Sequence, residues 1–265
     1  KSHFPVRCSF LNGSKDLDRL HMEWGHEKFL LSSPFYLTRK RLITQMTEEM
    51  NFLKPNVLDI GCGIGDLLST PLSKGFQCYG ADLSTYVLRI ARSNVRNADL
   101  VQADARFLPF RSNSFGLILC SEVLEHIHRD DQVVNEIHRL LERNGITIVT
   151  VPQGEQHWTE EDRREGHLRR YSRIHLARIF KSTGFEIENL ICWGFPMAVI
   201  LRKLVYTPVF EWNLHKRMTR NLTVGSAGLL LRFMDVFFRI DTFFKNLHLG
   251  LGLILKARKV GISRV

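Results

Sequence analysis

The sequence predicts an α/β fold: a mainly parallel seven-stranded sheet with helices on both faces and a helical insertion before the last strand. Three observations predict it. Short apolar runs of strand length alternate with segments of helical spacing from Val57 to Phe195, the pattern that gives right-handed crossovers and parallel strands. The first of these runs, "VLDI", stops at a loop carrying Gly61, Gly63 and Gly65. Past Pro196 the chain turns amphipathic and helix-like, then ends in the strand-like "LGLGLILKARK".

Taken in order, residues 1–56 read as an N-terminal helical cap, with apolar positions at helical spacing from Leu42 to Leu53. Residues 57–195 read as the core. "VLDI" is followed by a helix at Asp66, "CYGADL" by a helix over Thr85–Val95, and "DLVQAD" by a loop. "SFGLILC" precedes a long helix from Glu122 to Leu141, and "GITIVTV" follows it. "RIHLARIFKSTGFEIENLICWGF" supplies a further helix, a stop at Gly184 and another strand. Residues 196–248 form the insertion, in which Leu230, Phe233, Met234, Phe237 and Phe238 make one apolar stripe. Residues 249–265 are the last strand and a basic tail.

Composition narrows the class. The 44% hydrophobic and 24% charged shares are those of a globular protein. Five cysteines without a C-x-x-C pair argue against a disulfide or zinc framework. With no leader-like start and no long apolar run, the expected compartment is the cytoplasm. The net charge of +10 is uneven: from Pro196 onward, twelve Lys and Arg face three acids, a local excess of nine. Such a surface suits an anionic membrane, a nucleic acid or plain solvation.

The glycine loop separates two nucleotide chemistries. A dinucleotide fingerprint reads G-x-G-x-x-G/A, whereas here the third small residue is replaced by Asp66. Asp59 stands just before the loop. A carboxylate there works against a pyrophosphate and suits a ligand with an ammonium group. S-adenosylmethionine (SAM) has an ammonium, a sulfonium and no phosphate. Asp82 ends the second strand, where a carboxylate can accept ribose hydroxyls, and Asp104 ends the third, within reach of an adenine amino group.

On these residues the chain resembles the class I SAM-dependent methyltransferases, over roughly Arg41 to Phe195 plus the last strand. "VLDIGCGIG", "CYGADLS", "VQADARFLPF", "SFGLILCSEVLEHI" and "RRYSRIHLARIFKSTGFEI" look like that family's successive motifs. The resemblance is closest to the branch containing quinone-biosynthesis O-methyltransferases, and it implies a Rossmann-like methyltransferase fold. It also implies that Gly61, Cys62 and Gly63 line the methionine and ribose, and that Asp82 and Leu83 flank the ribose. Asp104 and Ala105 would face the adenine, with Ser121 and an arginine ahead of the first strand, matched by Arg41, as further contacts. The product would be S-adenosylhomocysteine.

Two polar clusters border this site. In "SEVLEHIH", Glu122 and His126 are i and i+4 and would share a helix face, with Glu125 beside them. Such a trio offers low-priority candidate ligands for a divalent metal, which is not expected, or leaves His126 as a metal-free base. In "GHLRRYS", His167 is a second candidate base and Arg169 a candidate anion clamp. The reading that follows is a SAM-dependent methyltransferase acting on a small or lipophilic acceptor, under an aromatic-rich lid with peripheral contact to anionic membrane. RNA as acceptor, and SAM binding without transfer, are the alternatives.

Overall fold

The structure, a computed structural model, describes residues 18, 33–48, 56–206, 238, 240–244, 247 and 249–260. Helix α1 (Pro34–Glu48) precedes strand β1 (Asn56–Ile60), helix α2 (Ser69–Ser73), strand β2 (Gln77–Asp82) and helix α3 (Thr85–Asn94). Then come β3 (Asp99–Gln102), β4 (Phe115–Ser121), α4 (Asp130–Leu140) and β5 (Leu141–Pro152). The short α5 (Glu160–Glu165), α6 (Arg173–Ser182), β6 (Phe185–Trp193), α7 (Met197–Leu201) and β7 (Gly252–Lys259) complete the order. The sheet has seven strands in the order β3-β2-β1-β4-β5-β7-β6. Strands β1 to β5 pair in parallel, while β7 runs antiparallel to both neighbours. The chain order reverses beside β1, and ligands of open α/β sheets bind at such a reversal, outside the carboxyl ends of the strands.

Strand alternation divides the core between two faces. Leu58, Ile60, Ile118 and Cys120 point to the face covered by Val133, Val134 and Ile137 of α4 and by Leu176 and Phe180 of α6. Val57, Leu117 and Leu119 point to the other, with Leu42, Ile43 and Met46 of α1 and Ala91 of α3. Asp59 shares the parity of Val57, so its carboxylate emerges on the α1 face.

Two expected helices differ. The one expected at Asp66 is a 3-10 turn, Asp66–Leu68, leading into α2. The long helix expected from Glu122 begins only at Asp130. Glu122 itself has φ +55°, a left-handed conformation that no α-helix accommodates, and Leu124–His126 is a 3-10 turn. Glu122 and His126 therefore do not share a helix face.

The ends of the 196–248 segment are tied together. Asp241 accepts from the backbone N–H of Met197 (2.8 Å) and Ala198 (3.0 Å), capping α7 from the far end of the segment. Phe238 is fully buried against Phe35 of α1, ring centroids 5.3 Å apart, beside Ala198 and Leu251. The expected stripe is thus core packing at Phe238, while Leu230, Phe233, Met234 and Phe237 lie outside the described residues. No described helix is long and apolar enough to cross a membrane.

Candidate active site

A cavity of about 430 Å³ opens at the carboxyl ends of the parallel strands. Its floor is the glycine loop. Gly61 and Gly63 have φ +68° and +51°, and a Cβ on Gly61 would meet Val123 Cγ2 at 2.4 Å, so only glycine lets the loop lie this close to the β4 turn. Gly61 and Cys62 N–H both bond the Ala81 carbonyl, at 2.7 and 3.0 Å, and Asp82 accepts from Gly63 N–H (2.9 Å) and Ser84 N–H (2.8 Å). The second strand's last carboxylate thereby sets the shape of the loop that follows the first. Cys62 lines the cavity, but burial pushes its thiol far above the usual range, so it is no nucleophile.

Asp59 lies at the bottom of this floor. It is 1% exposed, and Oδ1 has no hydrogen-bond partner among the described residues. Burial, reinforced by the charges of Asp82 and Asp66, holds its carboxyl well above the ordinary range. An unpaired buried carboxyl is costly unless a cation comes to it. That is the observation against which SAM is tested, and the ammonium of SAM fits it.

The cavity brings together Asp59, Gly61, Cys62, Gly63, Ser121, Glu122, His126 and His167 of the expected residues. Arg41 does not line it; Arg39 does, 3.2 Å from Glu122. Positions two apart on a helix differ by about 200°, so only one of the two arginines can face the site. Asp82, Leu83, Asp104 and Ala105 lie beyond the lining. Asp104 is held by Arg106 through both oxygens, at 3.0 and 2.6 Å, which keeps its carboxyl low. Arg169 also lies beyond the lining, bonded to Asp130 (2.9 Å) and the His128 carbonyl (3.0 Å).

The far wall is a network of paired charges. Asp162 accepts from His167 Nδ1 (2.8 Å) and from Arg170 Nε and Nη2 (both 2.9 Å). Glu165 lies 3.2 Å from His167 Nε2. With a carboxylate at each ring nitrogen, His167 is pushed up to about 10 despite burial. The two carboxylates favour the imidazolium form and engage both ring nitrogens. His126 packs edge-on against it, centroids 4.8 Å apart.

Glu125 is buried completely, with neither oxygen partnered among the described residues, and burial and Glu122 hold its carboxyl well above the usual range. Its ligand atoms, those of His126 and those of His167 lie within 4.8 Å of one another. Glu122 stands apart from that trio, engaged by Arg39 and by Thr150 Oγ1 (2.9 Å), so the expected trio Glu122, Glu125 and His126 is not what the fold assembles. Sequence reasoning missed Tyr36, Arg39, Asp162, Trp193 and Arg202, all of which line the cavity. The run "EEDRREGHLRR", with acids and arginines around His167, was the signal for Asp162.

Comparisons with known proteins agree with this geometry. A family described as "Methyltransferase domain" matches residues 58–149. The ubiquinone biosynthesis O-methyltransferase of Psychrobacter cryohalolentis is 29% identical over 115 residues, 40% of this chain and 44% of that protein. The mitochondrial arginine hydroxylase NDUFAF5 of Danio rerio is 27% identical over 147 residues, 53% of this chain and 45% of that protein. These matches span about half the length of the curated relatives. The phosphoethanolamine N-methyltransferase 2 of Haemonchus contortus, solved with S-adenosyl-L-methionine, shares the fold at TM-score 0.65 and 20% identity, over 96% of this chain and 61% of that one. The chain carries a class I SAM-dependent methyltransferase domain.

Proposed function

We propose that the protein transfers a methyl group from SAM to a small or lipophilic acceptor. The observation that carries this reading is Asp59, a buried carboxyl with a free oxygen at the floor of a glycine-lined cavity. Asp59, Gly61, Cys62, Gly63 and Ser121 would hold the cofactor. Asp82 acts through the loop it braces and, with Leu83, Asp104 and Ala105, would border the adenosine end, while Arg41 stands outside the cavity lining. The cofactor supplies an activated methyl on a good leaving group. The chain's contribution is alignment of the acceptor in line with that methyl, and exclusion of water by Phe35, Trp193 and Leu251. His126 is a candidate to accept a proton where the nucleophile arrives protonated.

A second reading adds a divalent cation at Glu125, His126 and His167. It is favoured by the two unpartnered oxygens of Glu125 and by the donor set of one carboxylate and two imidazoles. Binding there requires His167 to give up its proton. Manganese titration followed by electron paramagnetic resonance tests it: binding lost in Glu125→Gln supports the site, and equal binding removes it.

Peripheral contact with an anionic membrane completes the proposal. Ile200, Leu204, Ile240, Phe243, Leu247 and Leu249 are exposed at the two ends that Asp241 joins, in the most basic quarter of the sequence. The reaction itself is tested by incubating the protein with SAM and fractionated lipid or small-molecule extracts. Formation of S-adenosylhomocysteine in proportion to one fraction is expected. Tight cofactor binding with no turnover on any fraction, including RNA, would leave a SAM-binding protein without transferase activity.

A further inference from the structure

The lining of the cavity includes two buried hydrogen-bond donors that have no acceptor among the described residues. Trp193, at the end of β6, is 6% exposed, and its indole Nε1–H has no acceptor. A buried tryptophan N–H normally finds a partner, so an orphan at a cavity wall is a position where a ligand supplies one. Arg202 bonds Thr159 Oγ1 (3.2 Å) and Glu161 Oε2 (3.1 Å) through Nη2, while its Nε is buried with no acceptor. Both residues line the cavity, with Phe35, Pro152 and Leu251 as apolar neighbours. Gly252 lies flat beneath the indole, and a Cβ there would reach Nε1 at 2.5 Å.

The charges around these donors cancel in pairs: Arg39 with Glu122, Arg170 with Asp162, Arg202 with Glu161, and His167 with Glu165. A cationic acceptor would have to break one of these pairs. An uncharged acceptor oxygen would not, and it would satisfy a donor that is now buried without a partner. We propose that Trp193 and Arg202 form a specificity subsite selecting acceptors that carry a carbonyl or hydroxyl oxygen on an apolar frame. The inference rests on the methyltransferase reading and gives it a substrate class.

Three probes on one frame test it: acetophenone, ethylbenzene and 2-phenylethylamine, titrated into the full-length ¹⁵N-labelled chain saturated with S-adenosylhomocysteine. The Trp193 indole resonance, identified by its loss in Trp193→Phe, should move downfield with acetophenone and with neither of the others. Trp193→Phe should weaken acetophenone binding about three- to tenfold, the range of one neutral hydrogen bond, and leave S-adenosylhomocysteine affinity unchanged. Should Trp193→Phe fail to fold, Arg202→Lys, which removes the Nε donor, is read on the same titration with the same expected loss. An indole resonance that responds alike to all three probes, or undiminished acetophenone binding in a variant that still binds S-adenosylhomocysteine, would overturn the subsite. Failure of S-adenosylhomocysteine to bind the wild-type chain would instead strike the methyltransferase reading itself.

Discussion

Replacing Asp59 by Asn separates what the buried carboxyl does for the ligand from what it costs the fold. The substitution keeps the shape of a side chain that is 1% exposed, removes its charge and puts an amide N–H2 in place of one carboxyl oxygen. Toward a ligand ammonium, a charge-assisted hydrogen bond becomes a neutral one, a loss of about 1–2 kcal/mol, or roughly 5- to 30-fold in S-adenosylhomocysteine affinity. Toward the empty fold the sign reverses. The folded-state carboxyl is held above its unfolded value, so native Asp59 retains its proton where unfolded Asp59 has lost it. The native state therefore loses stability as pH rises above the unfolded value near 4, until the folded carboxyl itself ionises. Asn has no such term. In thermal melts without ligand, Asp59→Asn should match wild type near pH 4 and melt higher by a margin that widens toward pH 7. Isothermal calorimetry reads the affinity and differential scanning calorimetry the melts. A variant with wild-type affinity, or one that melts lower than wild type at pH 7, would refute the assignment of Asp59 to the cofactor ammonium.

Three further outcomes follow from the same geometry. His167 is raised to about 10, so the stability it contributes is complete below its unfolded value near 6.5 and lost as pH rises through 10. The melting difference between wild type and His167→Asn should therefore shrink across that window, and a difference independent of pH would contradict the imidazolium. Asp82→Ala removes the acceptor of Gly63 and Ser84 N–H, and should weaken S-adenosylhomocysteine by about 1.5–3 kcal/mol. Unchanged affinity by calorimetry would mean that the loop holds its shape without Asp82. In sedimentation with vesicles, recovery on anionic liposomes should exceed that on neutral ones, fall with salt, and drop on Phe243→Ser with Leu247→Ser. Equal recovery on both vesicle types would remove the membrane contact.

Much of this architecture was legible because it is written in local period. The alternation of Val57 and Leu117 against Leu58 and Ile118 sets two sheet faces, and the glycine loop after β1 marks where a ligand can approach. That β1, β2 and β3 run parallel follows from the helices between them. What could not be read depends on angles that residue types do not encode. Arg39 rather than Arg41 faces the cavity because of the rotation of α1 about its axis. Glu122 leaves the expected helix through a left-handed φ that a sequence of good helix formers conceals. Arg202 meets the distant loop at Thr159–Asp162, and Trp193 reaches the same cavity from the end of β6, placements fixed by tertiary packing alone. His167 shows the same limit: its place beside the site suggested a base, and the two carboxylates that the fold brings to its ring favour its charged form.

The central claim is that the cavity under α1 is built for a ligand bearing an ammonium group and no phosphate. Titration of the wild-type chain with S-adenosylhomocysteine and with NAD, followed by calorimetry, tests it most directly. One saturable site for S-adenosylhomocysteine is predicted, weakened in Asp59→Asn, with no heat from NAD beyond dilution. Binding of NAD with S-adenosylhomocysteine inert would contradict the claim, because Asp59 and Asp66 would then be facing a pyrophosphate.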